Sequence, residues 1–276
     1  MKKKIFGFIL VTSLLFCSLF SGVACGGGSG GGGGNLDDPN WPKYANVTYQ
    51  VSNVRGGVVL ENVNFTREGE FPSEFHVPKY VNGKKVVRIA CEAFSDVYQD
   101  DYSGHNWDSF NDPTHNFPYN KIIIPDTVEI IDSGTFALCT AKEIEFQGAN
   151  TKFGNFAGGD VNSAFTGCWL LEKVTLPANL DLIHHQMFYD CKSLTDIVIP
   201  SGVTKLEWMA FSHCESLVTI TIPASVQEIE RGTFYNGYKL ETVYCEGTPT
   251  IYTDNVDQGP SFKNCGVNRV FDIIYR

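Results

Sequence analysis

A 23-residue period in the second half of the chain is the sequence feature that most limits its fold. Leucine follows six residues after each phenylalanine of an exact series, and cysteine follows three residues after most of them. The exact series is Phe165, Phe188, Phe211 and Phe234, and Phe94, Phe136 and Phe262 are looser members. Self-similarity at such a period predicts a solenoid with one coil per repeat.

Each repeat unit contains two strand-like stretches joined by turns. The first alternates β-branched residues and ends in proline, as in the segments Ile197-Val198-Ile199-Pro200 and Ile220-Thr221-Ile222-Pro223. Period-2 alternation predicts a strand, and proline ends strand pairing because it has no N–H to donate. A short second apolar stretch follows, for example from Val203 to Leu206. One coil cannot bury enough apolar surface to be stable alone, so several coils must stack.

The repeat can be written Ile-x-x-x-x-Phe-x-x-Cys-x-x-Leu-x-x-Ile-x-Ile-Pro-x-x-Val, and it resembles the BspA-like class of leucine-rich repeats, which are bacterial surface proteins. The resemblance extends from about Tyr44 to Arg276. The segment from Val77 to Ile89 resembles the N-terminal capping segment of that class, with Asn82-Gly83 as a hairpin turn. The implied fold is a β-rich leucine-rich-repeat solenoid with short parallel strands, tight or 3-10 turns and an N-terminal β-hairpin cap.

The N-terminus has the pattern of an export signal. Lys2 to Lys4 precede an apolar run that is too short for an ordinary membrane span, which predicts a signal peptide over residues 1–24. Gly22-Val23-Ala24-Cys25 resembles a bacterial lipobox, which implies that Cys25 carries a lipid anchor. Gly22 departs from the large apolar residue usual at its position, and Gly22 with Ala24 also suits ordinary signal peptidase, so plain secretion is the alternative.

Three further regions follow the signal peptide. Residues 25–40 form a glycine-rich linker with a reach on the order of 20 Å. Residues 41–90 form the predicted capping segment, and residues 91–276 form the solenoid, which carries an insertion at 97–120. The chain has 21 basic and 31 acidic residues, and three of the basic residues lie in the signal peptide. This acidic balance argues against nucleic acid and against adsorption to an anionic membrane, so the lipid anchor is the only predicted membrane contact.

The cysteines suggest packing rather than chemistry. Seven remain after Cys17 and Cys25 are set aside, and five of them occupy the same repeat position. A cysteine fixed in each coil is typical of a small buried apolar residue. One or two disulfides that involve Cys91 or Cys245 remain the alternative.

No arrangement typical of an enzyme or a cofactor site stands out. His184, Glu207 and Glu230 occupy one repeat position, and stacking would place them in a column where a cation could bridge them. Three columnar ligands make a weak metal site, and solvated polar residues are the simpler interpretation. His213-Cys214 is a nucleophile pair only in sequence, because adjacent residues on a turn point apart. We therefore predict no catalytic residue, no cofactor and no metal.

Two surfaces are candidate binding sites. The insertion mixes aromatic residues with Asp and His, which is typical of ligand-binding loops, although its aromatic residues could equally cover the flank of the solenoid. Its candidate residues are Tyr98, Asp100, Asp101, Tyr102, His105, Trp107, Asp108, Asp112 and His115. The outward face of the first strands is the other candidate, with Lys173, Thr175, Asp196, Val198, Thr219, Thr221 and Tyr244.

The resulting functional hypothesis is a non-catalytic, protein-binding adhesion module that is exported and held by a lipid at the outer membrane or cell surface. The resemblance implies an extracellular protein partner, either host matrix or another cell. The alternative is an accessory protein that binds a glycan or a cation through the loop 97–120.

Overall fold

The computed structural model describes residues 47–65, 73–91, 93–94, 119–154, 163–252, 261–266 and 271–276. These residues contain eighteen strands. The N-terminal nine are β1 (Val47–Val54), β2 (Gly57–Phe65), β3 (Glu74–His76), β4 (Tyr80–Val81), β5 (Lys84–Ile89), β6 (Lys121–Ile124), β7 (Ile130–Asp132), β8 (Glu143–Phe146) and β9 (Lys152–Gly154). The other nine are β10 (Lys173–Thr175), β11 (Leu182–Ile183), β12 (Asp196–Ile197), β13 (Lys205–Leu206), β14 (Thr219–Ile222), β15 (Glu228–Ile229), β16 (Thr242–Cys245), β17 (Thr250–Ile251) and β18 (Asp272–Tyr275).

The strands of successive coils form two sides of a solenoid. On the first side, which we name the strand face, parallel strands follow one another in the order β3, β6, β8, β10 and β12, and then β14, β16 and β18. On the second side the order is β1, β2, β5, β7 and β9, and then β11, β13, β15 and β17. Val174 pairs with Ile197, and Lys205 pairs with Glu228, so neighbouring coils are shifted by one period. The predicted solenoid of short parallel strands is confirmed.

Two antiparallel hairpins lie at the N-terminal end. β1 pairs with β2, whose other neighbour is the parallel strand β5. β4 and β5 form the second hairpin, and its turn residues Asn82 and Gly83 have φ values of 52° and 71°. Two successive positive φ values are typical of the type I′ turn that Asn-Gly predicts. β3 pairs with β6 on the first side of the solenoid, and β5 pairs with β7 on the second side. The residues from β3 to β5, which include the second hairpin, therefore also form a coil.

A column of phenylalanine rings runs through the core. From Phe94 through Phe136, Phe165, Phe188, Phe211 and Phe234 to Phe262, neighbouring ring centroids are 5.0 to 5.5 Å apart. Phe94 stacks directly on Phe136 despite the insertion between them, and Phe234 stacks on Phe262 despite their longer spacing. The predicted register, including its looser members, is therefore confirmed.

The residue two positions after each stacked phenylalanine from Phe136 onward has a left-handed backbone. These residues are Leu138, Gly167, Asp190, His213, Asn236 and Asn264, with φ between 61° and 73°. The backbone N–H groups of the first five link the coils, as in the hydrogen bond from Asp190 N to Ser212 O at 2.9 Å. Glycine, Asn, Asp and His tolerate this conformation better than other residues, which explains five of the six identities.

The repeat cysteines are buried hydrogen-bond donors. All seven described cysteines are reduced thiols, and six of them are buried. The Cys191 thiol donates to the Phe165 carbonyl at 3.2 Å, and the Cys214 thiol donates to the Phe188 carbonyl at 3.3 Å. Each thiol thus ties its coil to the preceding phenylalanine. The prediction that the repeat cysteines are buried in the core is confirmed. In the described part of the chain, no helix has the length and apolar character needed to cross a membrane.

Candidate functional site

The strand face presents two rows of outward residues that follow from the strand register. The strands of this side form two sheets, β3 to β12 and β14 to β18. The 23-residue period places β14 next after β12, so the outward rows continue from one sheet to the other. The first outward row is Glu74, Lys121, Glu143, Lys173, Asp196, Thr219, Thr242 and Asp272. The second outward row is His76, Ile123, Glu145, Thr175, Val198, Thr221, Tyr244 and Ile274. Of the second row, Ile123 is buried.

The N-terminal part of the first outward row alternates in charge. Lys121 Nζ lies 3.8 Å from a Glu143 oxygen and 2.6 Å from a Glu145 oxygen. The hydrogen bond with Glu145 is the main cause that raises the pKa of Lys121. Further along, Lys173 Nζ lies 3.6 Å from Asp196. The charged groups of this part of the face are therefore already paired with one another.

In the C-terminal part of the face, the two outward rows hold no charged residue over two coils. Between Asp196 and Asp272 the first outward row holds only Thr219 and Thr242, and the second row holds Thr221 and Tyr244 in the same coils. Val198 is 76% exposed, more than any other large apolar side chain among the described residues. We name Val198, Thr219, Thr221, Thr242, Tyr244 and Ile274 the neutral patch.

A rigid backbone holds the neutral patch in place. Ile220 and Val243 alternate with the outward residues and are buried in the core. β14 pairs with β16 over four residues, and β16 pairs with β18 over four residues. The Arg276 guanidinium lies 3.7 Å from the Tyr244 ring centroid, close enough for a cation–π contact that orients this ring. The patch is therefore a preformed surface of hydroxyl groups, apolar side chains and one aromatic ring, with the Arg276 guanidinium on that ring.

The face candidates predicted from sequence all lie on this side of the solenoid. Lys173, Thr175, Asp196, Val198, Thr219 and Thr221 are exposed, and Tyr244 is partly exposed. Sequence reasoning missed Ile274 and Arg276, since the longer spacing between Phe234 and Phe262 hides the register of the last coil. Only the pairing of Tyr244 with Ile274 places that coil in the row.

The predicted column of His184, Glu207 and Glu230 forms, but its carboxylates bind the backbone. His184 Nδ1 lies 3.6 Å from Glu207 Oε2, and the same oxygen accepts a hydrogen bond from the His185 N–H at 2.9 Å. Glu230 Oε2 accepts a hydrogen bond from the Trp208 N–H at 2.7 Å. The hydrogen bond with His184 is the main cause that lowers the pKa of Glu207. Among the described residues, no group of three or more His, Cys, Asp and Glu side chains is placed to hold a metal ion.

His213 and Cys214 have separate partners. The His213 Nε2 atom lies 3.2 Å from Asn236 Nδ2, and burial lowers the pKa of the His213 imidazole. The Cys214 thiol donates to the Phe188 carbonyl, and burial raises its pKa. A buried thiol with a raised pKa is a poor nucleophile. The pair therefore supports no catalytic step.

The other candidates lie outside the described residues. They are Cys25 and the insertion residues Tyr98, Asp100, Asp101, Tyr102, His105, Trp107, Asp108, Asp112 and His115. Tyr119 at the end of the insertion is described, and its ring packs in the core 5.1 Å from the Phe75 ring.

The stacked coils, the phenylalanine column and the two sides of short parallel strands define a leucine-rich-repeat protein of the β-rich type. The family described as BspA type leucine rich repeat region matches residues 114–158 and 161–271 with six copies, which is more than half of the chain. The chain belongs to this family. Proteins with such repeats are commonly surface modules for protein interaction, and they are generally non-catalytic.

Solved structures of bacterial leucine-rich-repeat proteins are similar to the chain. A leucine-rich-repeat protein of T. pallidum is 23% identical, with 71% of this chain and 68% of that chain covered and a TM-score of 0.41. A leucine-rich cell-surface protein of Faecalibacterium prausnitzii is 20% identical over 82% of this chain, with a TM-score of 0.39. The chain covers 52% of that second protein. No curated protein gives a significant match.

Proposed function

We propose that this protein is an exported surface module that binds another protein without catalysis, through the neutral patch of the strand face. The observation that carries the proposal is the division of this face into a charge-paired half and a neutral half. The partner is an extracellular protein, either in host matrix or on another cell. The lipid on Cys25 and the glycine-rich linker hold the module at the outer membrane or cell surface.

Desolvation favours the neutral half as the contact surface. Covering the ion pairs of Lys121 with Glu143 and Glu145 would remove charged groups from water, and their mutual attraction does not reliably repay that cost. Covering Val198 and Ile274 removes apolar side chains from water, which is favourable by roughly 25 cal/mol per Å². The threonine hydroxyls can exchange water for polar groups of a partner. An extended row of outward residues on paired strands suits a protein surface better than a small molecule, which prefers a concave site.

The test compares two threonine-to-arginine variants. Thr221→Arg places a charged side chain in the middle of the neutral patch, whereas Thr204→Arg places one at an exposed position on the second side of the solenoid. Binding to immobilised matrix proteins and to intact cells is measured by surface plasmon resonance and cell adhesion. We expect Thr221→Arg to weaken binding at least about tenfold, since it adds an unmatched charge to the interface, and Thr204→Arg to leave it unchanged. Equal effects of the two variants would contradict the proposal.

The surface location is tested separately on intact cells. Protease added outside the cells should remove the protein, and replacement of Cys25 by Ala should release it into the medium. Retention of the Cys25→Ala variant on the cell would contradict the lipid anchor without affecting the proposed binding role.

The loop 97–120 supports a second candidate function, binding of a glycan or a cation. The direct stacking of Phe94 on Phe136 favours it, because the coil is complete without the extra residues. Its aromatic rings and carboxylates suit sugar rings and hydroxyl groups. Deletion of residues 99–118 separates the two functions. Loss of binding to a glycan array with retained protein binding would support the loop, and unchanged glycan binding would exclude it.

A further inference from the structure

We propose that the neutral patch binds a second copy of this chain, with the two strand faces packed against each other and the two solenoids antiparallel. This inference rests on the proposed function of the same patch and names its partner. A two-fold axis that lies between the faces, along the direction of β14, generates the arrangement. Such a contact is isologous, so each residue of the patch faces a residue of the same patch in the other copy.

The charges at the two ends of the patch are complementary under this axis. The rotation reverses the order of the coils but keeps each outward row opposite itself. With β14 on the axis, the strand β10 faces β18 of the other copy, and β12 faces β16. Lys173 therefore faces Asp272 of the second copy, and the pair occurs twice. Asp196 faces the neutral Thr242, so no like charges meet within these five coils.

The second outward row is complementary in shape and polarity. Val198 faces Tyr244 of the second copy, so the most exposed apolar side chain of the described residues packs against an aromatic ring. Thr175 faces Ile274, which is 40% exposed. Thr221 lies on the axis and faces itself. Both copies thus cover their exposed apolar groups, and the Arg276 guanidinium enters the contact together with the Tyr244 ring on which it lies.

Three of the four neighbouring registers bring acidic residues together. Moving the axis half a coil toward β16 places Asp196 opposite Asp272. Moving it half a coil toward β12 places Glu143 opposite Asp272, and moving it to β12 places Asp196 opposite itself. Moving it to β16 opposes no like charges, but it leaves Lys173 and Asp272 without an opposite charge. Since like charges across an interface suppress wrong pairings, the charge pattern favours the register centred on β14.

The size of the contact predicts weak association. Five coils spaced by about 4.8 Å span on the order of 20 Å, and the strands are only two to four residues long. The buried area is therefore well below the roughly 800 Å² per partner of a typical stable complex. Copies held at one surface, or on two facing cells, meet at a high effective concentration, which makes such a weak contact sufficient. The partner in adhesion is then the same protein on a neighbouring cell.

Charge reversal tests the register. Sedimentation equilibrium of the chain without its signal peptide, up to about 1 mM, gives the dimer dissociation constant of the parent protein and of three variants. We expect Lys173→Asp and Asp272→Lys each to weaken association about tenfold, because each variant opposes like charges at two symmetric positions. The double variant Lys173→Asp with Asp272→Lys restores opposite charges and should regain most of the affinity. All these side chains are exposed, so melting curves should stay nearly unchanged.

Cross-linking tests the position of the axis independently. Thr221→Cys places two thiols opposite each other across faces about 10 Å apart, within reach of a short bismaleimide, whereas Thr204→Cys does not. Dimers from Thr221→Cys alone support the proposal. A strictly monomeric parent protein, or a double variant no better than the single ones, would overturn it. Continued loss of binding to other proteins in Thr221→Arg would then leave the proposed function standing without self-association.

Discussion

Replacing Phe211 with alanine tests the phenylalanine column where it is most regular. The side chain is fully buried, and its ring lies between those of Phe188 and Phe234 at centroid distances of 5.3 and 5.5 Å, within 5° of parallel. Phenylalanine-to-alanine changes in cores cost about 3–5 kcal/mol. Both ring faces are covered, so the neighbouring coils cannot close the cavity without leaving their strand register. We expect a loss of about 4–5 kcal/mol, toward the upper end of that range.

Urea unfolding followed by circular dichroism measures this loss. A change of this size lowers the melting temperature by about 8–20 °C in a domain of 150–250 residues. Phe211→Leu keeps the apolar contact but removes the ring stack, so it should cost only about 1–1.5 kcal/mol. Thr221→Ala changes an exposed side chain and should shift stability by less than about 0.5 kcal/mol. Equal shifts for Phe211→Ala and Thr221→Ala would refute the register.

Three smaller predictions concern the turns and the thiols. Gly167→Ala should destabilise the fold by about 1–3 kcal/mol in urea unfolding, because φ is +73° and the new Cβ would lie 2.5 Å from Leu138 Cδ2. Gly83→Ala, with φ +71° but open space around it, should cost less, and equal losses would exclude the clash. Burial lowers the pKa of His213, so the unfolded chain binds more protons near its ordinary value of about 6.5 and stability should fall as the pH drops through that range. His213→Asn should remove this pH dependence, and a slope unchanged in urea titrations at pH 5.5 and 7.5 would contradict it. Thiol titration of the native protein should detect Cys91 first, since burial raises the pKa of Cys265 to about 12. Seven described thiols should react after denaturation, and fewer would indicate disulfides.

The sequence predicted the core better than the turns. Phe165 and Phe188 repeat at the exact period, and a buried aromatic residue can be recognised by spacing alone. Spacing alone could not identify the residues with a left-handed backbone. One of them is Leu138, and leucine has a side chain that does not favour positive φ. The role of Cys191 as a donor was also hidden. Its burial follows from the repeat, but its acceptor, the Phe165 carbonyl, is defined only once the coils are stacked.

The sequence predicted which residues of the site face outward, but it did not predict how far the site extends along the face. Period-2 alternation placed Thr219 and Thr221 outward and Ile220 inward, as the structure has them. The period also placed His184 beside Glu207, but it could not show that the Glu207 carboxylate accepts a hydrogen bond from the His185 backbone N–H. The division of the face into paired and neutral halves depends on distances between side chains, which spacing in the sequence does not give.

Comparison of the repeats within this one chain indicates where partner specificity is encoded. The core position is Phe in all seven stacked coils, and its replacement costs several kcal/mol. The outward position of the second row is instead Thr175, Val198, Thr221 and Tyr244 in four successive coils. Substitutions there cost little in stability, so this row can change its chemistry while the solenoid stays intact. A surface that is varied in this way on a fixed core is suited to recognition, and its neutral C-terminal half is the part that a partner can cover without covering the ion pairs of Lys121.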